Sequence, residues 1–239
     1  MCLIVLAWRV LPDLPLVVAA NRDEFHARPA ARAAFWEDQP GILAGRDLEA
    51  RGTWMGVARD GRFAAVTNYR GAQEPRAAES RGALVTRFLK EKIAPAKYFE
   101  NISRQSDAYS GFNLLAADER ELWWFSNRDG RPRRLEPGCY GLGNTLLDDP
   151  EVDAAKARFA RAIEAGPAVG TLFGVLAESR IVSPQYGTRC STVLLKGTHG
   201  RIRYAERSFS ADGVEQETAQ YEFAAGPLTR GQRASASGG

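Results

Sequence analysis

Two apolar segments near the start of the chain constrain its fold more than any other feature. Leu3–Val10 is an apolar run, and a turn-rich connection containing Pro12 and Pro15 joins it to a second apolar segment, Leu16–Ala20. Short runs without polar alternation are typical of strands that are buried on both faces. Because the connection is short, we predict that the two strands pair as an antiparallel hairpin at the centre of a sheet covered on both sides.

The rest of the pattern alternates between strands and pairs of helices. Asp60-Gly61 separates two strand-like segments and predicts a tight hairpin. Helices are predicted over 80–92, with Ser80 as N-cap, and from Pro95 onward. Further strands are predicted at 112–116, 121–126, 188–196, 201–209 and 214–223, further helices at 149–165 and 169–178, and a loop at 26–40. The order of strands, two helices, strands, two helices and strands predicts an α+β fold.

Length and charge limit the domain organisation and the function classes. The chain has 239 residues, and its 32 Lys and Arg residues are interleaved with 29 Asp and Glu residues. We expect one domain over residues 1–225 and a disordered tail over 226–239. The interleaved charge argues against nucleic-acid binding. No segment approaches the roughly 18 apolar residues that a membrane-spanning helix needs.

Cysteine and histidine usage bears on compartment and metal binding. The three cysteines, Cys2, Cys139 and Cys190, are odd in number and lack metal-type spacing. With only His26 and His199 beside them, a zinc site is not expected. The sequence therefore predicts a reducing, cytoplasmic location, no metal and no cofactor.

Cys2 is the first candidate for chemistry. Initiator methionine is commonly removed when the next residue is as small as cysteine, which would place the thiol at the amino terminus. An α-amine with a pKa of about 7.7–8.0 then lies beside the nucleophile and can act as its general base. The alternative is that Cys2 is a small apolar residue at the start of a buried strand.

Four polar residues, Asn21-Arg22-Asp23-Glu24, follow the second apolar segment. In an antiparallel hairpin, residue 2 lies close to residues 21–23. Arg22 can then lower the pKa of the thiol or bind a substrate carboxylate, and Asp23 can orient the N-terminal ammonium. The alternative interpretation is a solvated loop after the strand.

Three further residues are candidates for the same site. Asn68 and Asn144 follow strand-like or glycine-rich segments, where an amide can donate to a developing oxyanion. Both also fit ordinary turn positions. Arg189 stands at the entry to an apolar strand, so its charge needs a partner. That partner is either a substrate anion or a structural carboxylate such as Asp23.

Six motifs in a fixed order resemble a known family. The sequence resembles the NRDE-motif family, also called the Transport and Golgi Organization family, over about residues 1–225. The motifs are Met1-Cys2, Asn21-Arg22-Asp23-Glu24, Gly52-Thr53-Trp54-Met55-Gly56, Thr67-Asn68-Tyr69-Arg70, Gly111-Phe112-Asn113-Leu114 and Tyr186-Gly187-Thr188-Arg189-Cys190-Ser191-Thr192.

The resemblance implies an N-terminal-nucleophile hydrolase fold, which is a four-layer αββα sandwich. It also implies a distant similarity to the choloylglycine hydrolase and penicillin acylase group. In that group the Arg and the Asp of the second strand are separated by two residues, whereas Arg22 and Asp23 are adjacent, so Asn21 or Glu24 can take one of the roles. The catalytic residues that the resemblance implies are Cys2, Arg22, Asp23, Asn68, Asn144 and Arg189.

Two functional hypotheses follow. The first is an amidohydrolase that cleaves linear carbon–nitrogen bonds of an acylated, anionic small molecule with Cys2 as nucleophile. The second is a non-catalytic carrier for an apolar anionic ligand such as haem or acyl-CoA, because the resemblance implies a link of eukaryotic members to haem and lipid handling. In the carrier, Arg22 and Arg189 would contact carboxylate or phosphate.

Overall fold

The computed structural model describes residues 2–71 and 77–226, so the predicted tail lies outside the described residues from position 227 onward. The strands are β1 (Leu3–Trp8), β2 (Leu16–Phe25), β3 (Ala30–Phe35), β4 (Ile42–Asp47), β5 (Met55–Ala58), β6 (Phe63–Asn68), β7 (Phe112–Ala117), β8 (Leu122–Ser126), β9 (Arg133–Leu135), β10 (Gly138–Leu142), β11 (Tyr186–Lys196), β12 (Arg201–Phe209) and β13 (Glu215–Ala224). The α-helices are α1 (Arg81–Lys90), α2 (Pro95–Ser103), α3 (Asp153–Glu164) and α4 (Val169–Ala177).

The strands form two antiparallel sheets. One has six strands in the order β10-β1-β2-β11-β12-β13, and the other has seven in the order β3-β4-β5-β6-β7-β8-β9. The β1–β2 hairpin lies at two inner positions of the six-stranded sheet, with Leu3 opposite Asn21 and Trp8 opposite Leu16. The predicted central hairpin is therefore confirmed, and all six residues of β1 are buried.

Three apolar clusters separate four layers. Trp124 and Leu194 belong to the cluster between the two sheets. Phe88 belongs to a second cluster, where α1 and α2 cover the seven-stranded sheet, and Phe159 to a third, where α3 and α4 cover the six-stranded sheet. Burial of these faces supplies most of the driving force for folding. The arrangement is the four-layer αββα sandwich, which confirms the predicted fold class.

Local signals place several elements correctly. Ser80 caps α1 by accepting a hydrogen bond from the backbone N–H of Gly82, and Pro95 is the first residue of α2. The predicted Asp60-Gly61 turn joins β5 to β6, with Gly61 in the left-handed region at a φ of 85°. Within the described residues, no helix is long and apolar enough to cross a membrane.

One prediction about a loop is wrong, and one alternative interpretation is excluded. Segment 26–40 contains β3, an edge strand with a bulge between Ala31 and Ala34. Two residues of the opposite sheet hold this bulge at Ala33. The Glu206 carboxylate accepts a hydrogen bond from the Ala33 N–H at 2.7 Å, and the Tyr221 hydroxyl donates to the Ala33 carbonyl at 3.0 Å. The segment Asn21–Glu24 is not a solvated loop, because β2 continues through it.

Candidate active site

The hairpin register places Cys2 beside the polar end of β2. Leu3, the first residue of β1, lies opposite Asn21. Because the strands are antiparallel, the residue before it, Cys2, comes next to Arg22. The Cys2 thiol donates a weak hydrogen bond to the carbonyl oxygen of Asp23, with the sulfur 3.4 Å from that oxygen. Cys2 remains partly exposed. The residue is therefore not sealed in the core, although the surroundings of its thiol are largely buried.

A cavity of about 110 Å³ opens beside Cys2. Its walls come from both sheets and from the beginning of α1, so it exists only because the two sheets pack at this edge. Its lining is polar and carries charges of both signs. The lining residues are Cys2, Arg22, Asp23, Glu24, Arg28, Asp47, Thr53, Trp54, Val66, Asn68, Ser80, Arg81 and Gly82.

Arg22 is the most unusual residue of this cavity. It is only 7% exposed, and its guanidinium carbon lies 4.2 Å from the centre of the Trp54 ring. Nη2 is 3.8 Å from Asp47 and 3.9 Å from Glu24, which is too far for hydrogen bonds. Nη1 is buried and has no hydrogen-bond partner among the described residues. Because a buried N–H without a partner costs free energy, this group is suited to binding a ligand.

Trp54 reaches Arg22 because Gly45 leaves room for it. A Cβ atom at Gly45 would lie 2.4 Å from two atoms of the Trp54 ring, far inside contact distance. The ring therefore rests against the backbone of β4, and the Arg22 guanidinium stacks on it.

The acidic residues around Arg22 are already engaged elsewhere. Asp47 accepts a hydrogen bond from Nε of Arg28 at 2.5 Å and another from the backbone N–H of Ala50 at 2.8 Å. Burial raises the pKa of Asp47, but these hydrogen bonds and the charge of Arg28 outweigh it, so the net pKa is below its usual value. Glu24 accepts from the backbone N–H of Phe25 at 2.9 Å. Asp47 therefore stays ionised without needing Arg22.

Asp23 is held by the neighbouring strand β11. Its Oδ1 accepts a hydrogen bond from the Thr188 hydroxyl at 2.6 Å, and its carbonyl also accepts from the Tyr186 hydroxyl at 3.2 Å. Burial raises the pKa of Asp23, and the Thr188 hydrogen bond offsets only part of this effect. The carboxylate is thus fixed within reach of the start of β1.

The Cys2 thiol is a weak acid in this environment. Burial and then the negative charge of Asp23 raise its pKa to about 11, although the hydrogen bond to the Asp23 carbonyl and the charge of Arg22 act in the opposite direction. The expected effect of Arg22 therefore has the predicted sign but is smaller than that of burial. At neutral pH the thiol is protonated, so attack by sulfur needs a base.

The two asparagines lie together at the end of β6. Asn68 is exposed and lines the cavity. Asn144 is not part of the lining; its side-chain amide donates to the carbonyl of Asn68 at 2.7 Å. Its backbone N–H donates to Glu151 at 3.3 Å. The structure therefore brings the pair together but gives only Asn68 direct access to the cavity.

Arg189 is used differently from Arg22. Its Nη1 donates to three backbone carbonyls, those of Phe25 at 3.0 Å, Arg28 at 3.1 Å and His26 at 3.2 Å. It fixes the segment after β2 and lines a neighbouring cavity of about 90 Å³ that Arg22 also lines. Burial lowers the pKa of Arg189, and the nearby positive charge of Arg22 acts in the same direction.

Several site residues had not been singled out from the sequence. Asp47 ends β4, Trp54 directly precedes β5, Arg81 begins α1 and Arg28 lies in the connection between β2 and β3. The signal for Trp54 was its position inside Gly52–Gly56, one of the family motifs. No group of three or more potential metal ligands occurs in the part of the chain that the structure describes.

Comparisons with known proteins agree with the resemblance. A family model described as Transport and Golgi organisation 2 matches residues 1–184. The chain belongs to this family. It is 34% identical to the Transport and Golgi organization protein 2 homologs of Bos taurus and Homo sapiens, over 87% of this chain and 92% of each relative. The Drosophila melanogaster protein is 31% identical over 56% of this chain and 53% of its own length.

A solved structure shows the same fold. The Caenorhabditis elegans ortholog of N-acylethanolamine-hydrolyzing acid amidase superposes with a TM-score of 0.51, covering 81% of this chain and 92% of that chain. Its sequence identity is 11%, so the likeness concerns the fold alone. Membership in the family and an N-terminal-nucleophile hydrolase-like fold are thus established together.

Proposed function

We propose that this protein is an amide hydrolase that uses Sγ of Cys2 as its nucleophile. The observation that supports the proposal most directly is the position of Cys2 on a solvent-open cavity, beside Arg22 and Asp23, in a fold shared with an amidase. The substrate class is an acylated, anionic small molecule cleaved at a linear amide bond.

The first step depends on the removal of Met1. A peptide nitrogen cannot accept a proton at neutral pH, whereas a free α-amine at Cys2 can. This amine takes the thiol proton as Sγ attacks the amide carbon, and Asp23 stabilises the resulting ammonium. The raised pKa of the thiol makes this base necessary, because few molecules would otherwise carry a thiolate.

The remaining steps follow from the same groups. The Asn68 amide donates to the oxyanion of the tetrahedral intermediate, while Asn144 holds the end of β6 in place. The α-ammonium gives its proton to the leaving amine, the carbon–nitrogen bond breaks, and the acyl group stays on Cys2 as a thioester. Water, deprotonated by the α-amine, then releases the carboxylic acid and restores the thiol. Arg22 binds the negative charge of the substrate through Nη1.

The test is release of free amine from a panel of N-acyl amino acids and acyl amides, with intact mass and peptide mapping of the same preparation. We expect a mature protein that begins at Cys2, and turnover that is abolished in Cys2→Ala. Cys139→Ala is the matched control, because Cys139 is also a partly exposed free cysteine but does not line the cavity. Assays contain a reductant, in keeping with the predicted cytoplasmic location.

The carrier hypothesis is the competing outcome. Pockets that enclose ligands of drug size or larger have volumes of roughly 300–1,000 Å³, whereas the cavity at Cys2 measures about 110 Å³. This size favours a small substrate over haem. Tight binding of haem or acyl-CoA without turnover of any amide, or a mass that retains Met1, would decide for the carrier.

A further inference from the structure

Cys2 also borders a second, much smaller cavity. Its volume is about 20 Å³. It lies between the sheets and shares Cys2, Arg22, Trp54 and Val66 with the open cavity, so the two meet at the nucleophile. We refer to it as the inner chamber; its other lining residues are Ile4, Ala20, Asn21, Met55, Thr67 and Thr192.

The inner chamber is suited to hydrocarbon. Ile4, Ala20 and Met55 contribute apolar side chains from the cluster between the sheets. The hydroxyls at its edge are occupied: Thr67 accepts from the Asn113 amide at 3.2 Å, and Thr192 donates to Glu206 at 3.3 Å. These polar groups therefore have partners other than a ligand.

The Asn21 side chain is likewise satisfied on both sides. It donates to the carbonyl of Leu176 at 3.0 Å and accepts from the Ser191 hydroxyl at 2.6 Å. Filling the chamber with an apolar group therefore leaves these polar atoms hydrogen-bonded. The lining donor without a partner, Nη1 of Arg22, belongs to a residue that also lines the open cavity, where the anionic part of the proposed substrate would bind it.

The order of bond breaking assigns each half of a substrate to one cavity. The amine departs while the acyl group remains bonded to Sγ, and water must then reach the thioester. The leaving amine therefore belongs in the wider, charged cavity, among Arg22, Arg28 and Arg81, and the acyl group in the smaller and more apolar inner chamber. The reverse arrangement would trap the amine behind the thioester.

The size of the inner chamber then limits the acyl group. A cavity needs a volume of about 10–15 Å³ to hold one water molecule. The inner chamber thus has room for little more than one methyl-sized group. Protein interiors are close-packed, so each further methylene must displace a buried side chain.

We propose that Cys2 accepts short acyl groups, acetyl or propionyl, and that Ile4, Ala20 and Met55 exclude longer chains. This inference rests on the proposed function for its reaction, but it makes a separate statement about acyl length. It assigns Ile4, Ala20 and Met55 as residues that determine specificity.

The test measures acylation of Cys2 separately from amide turnover. The purified protein is exposed to p-nitrophenyl acetate, butanoate and octanoate, and thioester formation on Cys2 is followed by intact mass and peptide mapping. Rates are divided by those of a free small-molecule thiol with the same ester. We expect acetyl transfer to exceed octanoyl transfer at least tenfold, and N-acetylglycine to be hydrolysed in preference to N-octanoylglycine.

The outcomes separate the two proposals. Acetyl-selective acylation without amide turnover would sustain the chamber assignment and reject the hydrolase. Amide turnover with equal or faster reaction of octanoyl compounds would support the hydrolase and reject the assignment of the inner chamber to short acyl groups. If no ester acylates Cys2 above the rate seen in denatured protein, the short-acyl proposal is overturned.

Variants of the chamber provide the matched comparison. Ile4→Val should raise the ratio of butanoyl to acetyl transfer about threefold, and Met55→Ala should raise it further if the protein remains folded. Ala20→Val should slow acetyl transfer about tenfold by filling the space. Ile202→Val is the control, because Ile202 is buried in the same cluster but does not line the chamber. An unchanged ratio in Ile4→Val and Ala20→Val, with normal melting curves, would contradict the assignment.

Discussion

A buried arginine binds the C-terminal end of α1, and another shares a cavity with its N-terminal end; the two arginines differ in how their donors are used. At the C-terminal end, Arg62 is 8% exposed and donates to the carbonyls of Phe88 at 2.5 Å, Leu89 at 3.0 Å and Glu91. Its Nε also pairs with Asp60 at 3.0 Å. These are the carbonyls that a helix leaves without partners at its end.

At the N-terminal end, the first residues of α1 line the cavity that contains Arg22. Arg22 is as buried as Arg62 and also stacks on an aromatic ring, yet its Nη1 has no hydrogen-bond partner within the described residues. Burial alone therefore does not distinguish the roles of the two residues. Arg62 stabilises the fold because its guanidinium donates hydrogen bonds to carbonyls of the protein. Arg22 is suited to binding a ligand because its Nη1 donor has no partner among the described residues.

The largest expected effect is on stability. Arg62→Met should lower the free energy of unfolding by about 3–5 kcal/mol, because it leaves several buried carbonyls without donors. Arg22→Met should change it by less than about 1 kcal/mol, because Asp47 keeps Arg28 and a methionine can still pack on Trp54. Urea unfolding measures both, and similar losses in the two variants would remove the distinction.

The next largest effect is expected for Asn68 and Asn144. As with the two arginines, one side-chain donor is available to a ligand and the other is already bound within the protein. Asn68→Ala should lower kcat by roughly 10²–10³-fold if its amide donates to the oxyanion. Asn144→Ala should have a clearly smaller effect, because its amide is already bound to the carbonyl of Asn68. Steady-state kinetics on the best amide substrate test this order. A greater loss in Asn144→Ala would make Asn144 the donor.

Arg22 should matter to substrate binding rather than to folding. Arg22→Met should lower kcat/KM for an anionic amide about 10–100-fold, as expected for a lost hydrogen bond to a charged group. For a neutral amide of the same acyl length the loss should be smaller. Arg22→Lys should restore little, because an ammonium cannot stack on Trp54 and donate in the same geometry. Equal losses for anionic and neutral amides would argue against anion binding.

The smallest effect is expected in the labelling of Cys2. With its nitrogen in a peptide bond, the thiol has a pKa of about 11, so the thiolate fraction and the iodoacetamide rate should rise about tenfold per pH unit between pH 7 and 10. A free α-ammonium beside the sulfur favours the thiolate and should increase labelling at pH 7 about tenfold.

An N-terminally extended variant supplies the blocked form for this measurement. Labelling is mapped to Cys2, Cys139 and Cys190 separately, since burial raises the pKa of the latter two thiols as well. Identical profiles for the blocked and free forms would show that the amine does not act on the thiol.

Much of the fold was predictable because local signals and periodicity agreed. The apolar hairpin, the Ser80 cap and the Asp60-Gly61 turn each specify their own structure. β3 was missed because its sequence, Ala-Ala-Arg-Ala-Ala-Phe, is rich in alanine and has little strand preference. Its strand conformation depends on Glu206 and Tyr221, which lie more than 170 residues away in the chain.

The same division applies to the candidate site. The neighbourhood of Cys2 and Arg22 follows from the register of one hairpin, which the sequence specifies. The opposite wall, with Trp54 and Asp47, depends on how the second sheet packs against the first, and no local pattern encodes that distance. The sequence also did not predict that Arg189 binds backbone carbonyls while Nη1 of Arg22 has no partner among the described residues. Every residue has a backbone carbonyl, so no residue type indicates which carbonyls an arginine will bind.

The missing side chain of Gly45 has a consequence for how variants of this protein are interpreted. The Trp54 ring on which Arg22 stacks occupies the space that a side chain at Gly45 would fill, and this glycine carries no charge and does not line the cavity. A single methyl group at this position would collide with the Trp54 ring, and the ring would have to leave its place beneath the Arg22 guanidinium. Every polar residue of the site would still be present, so a substitution there would change the setting of Arg22 while the NRDE motif remained intact.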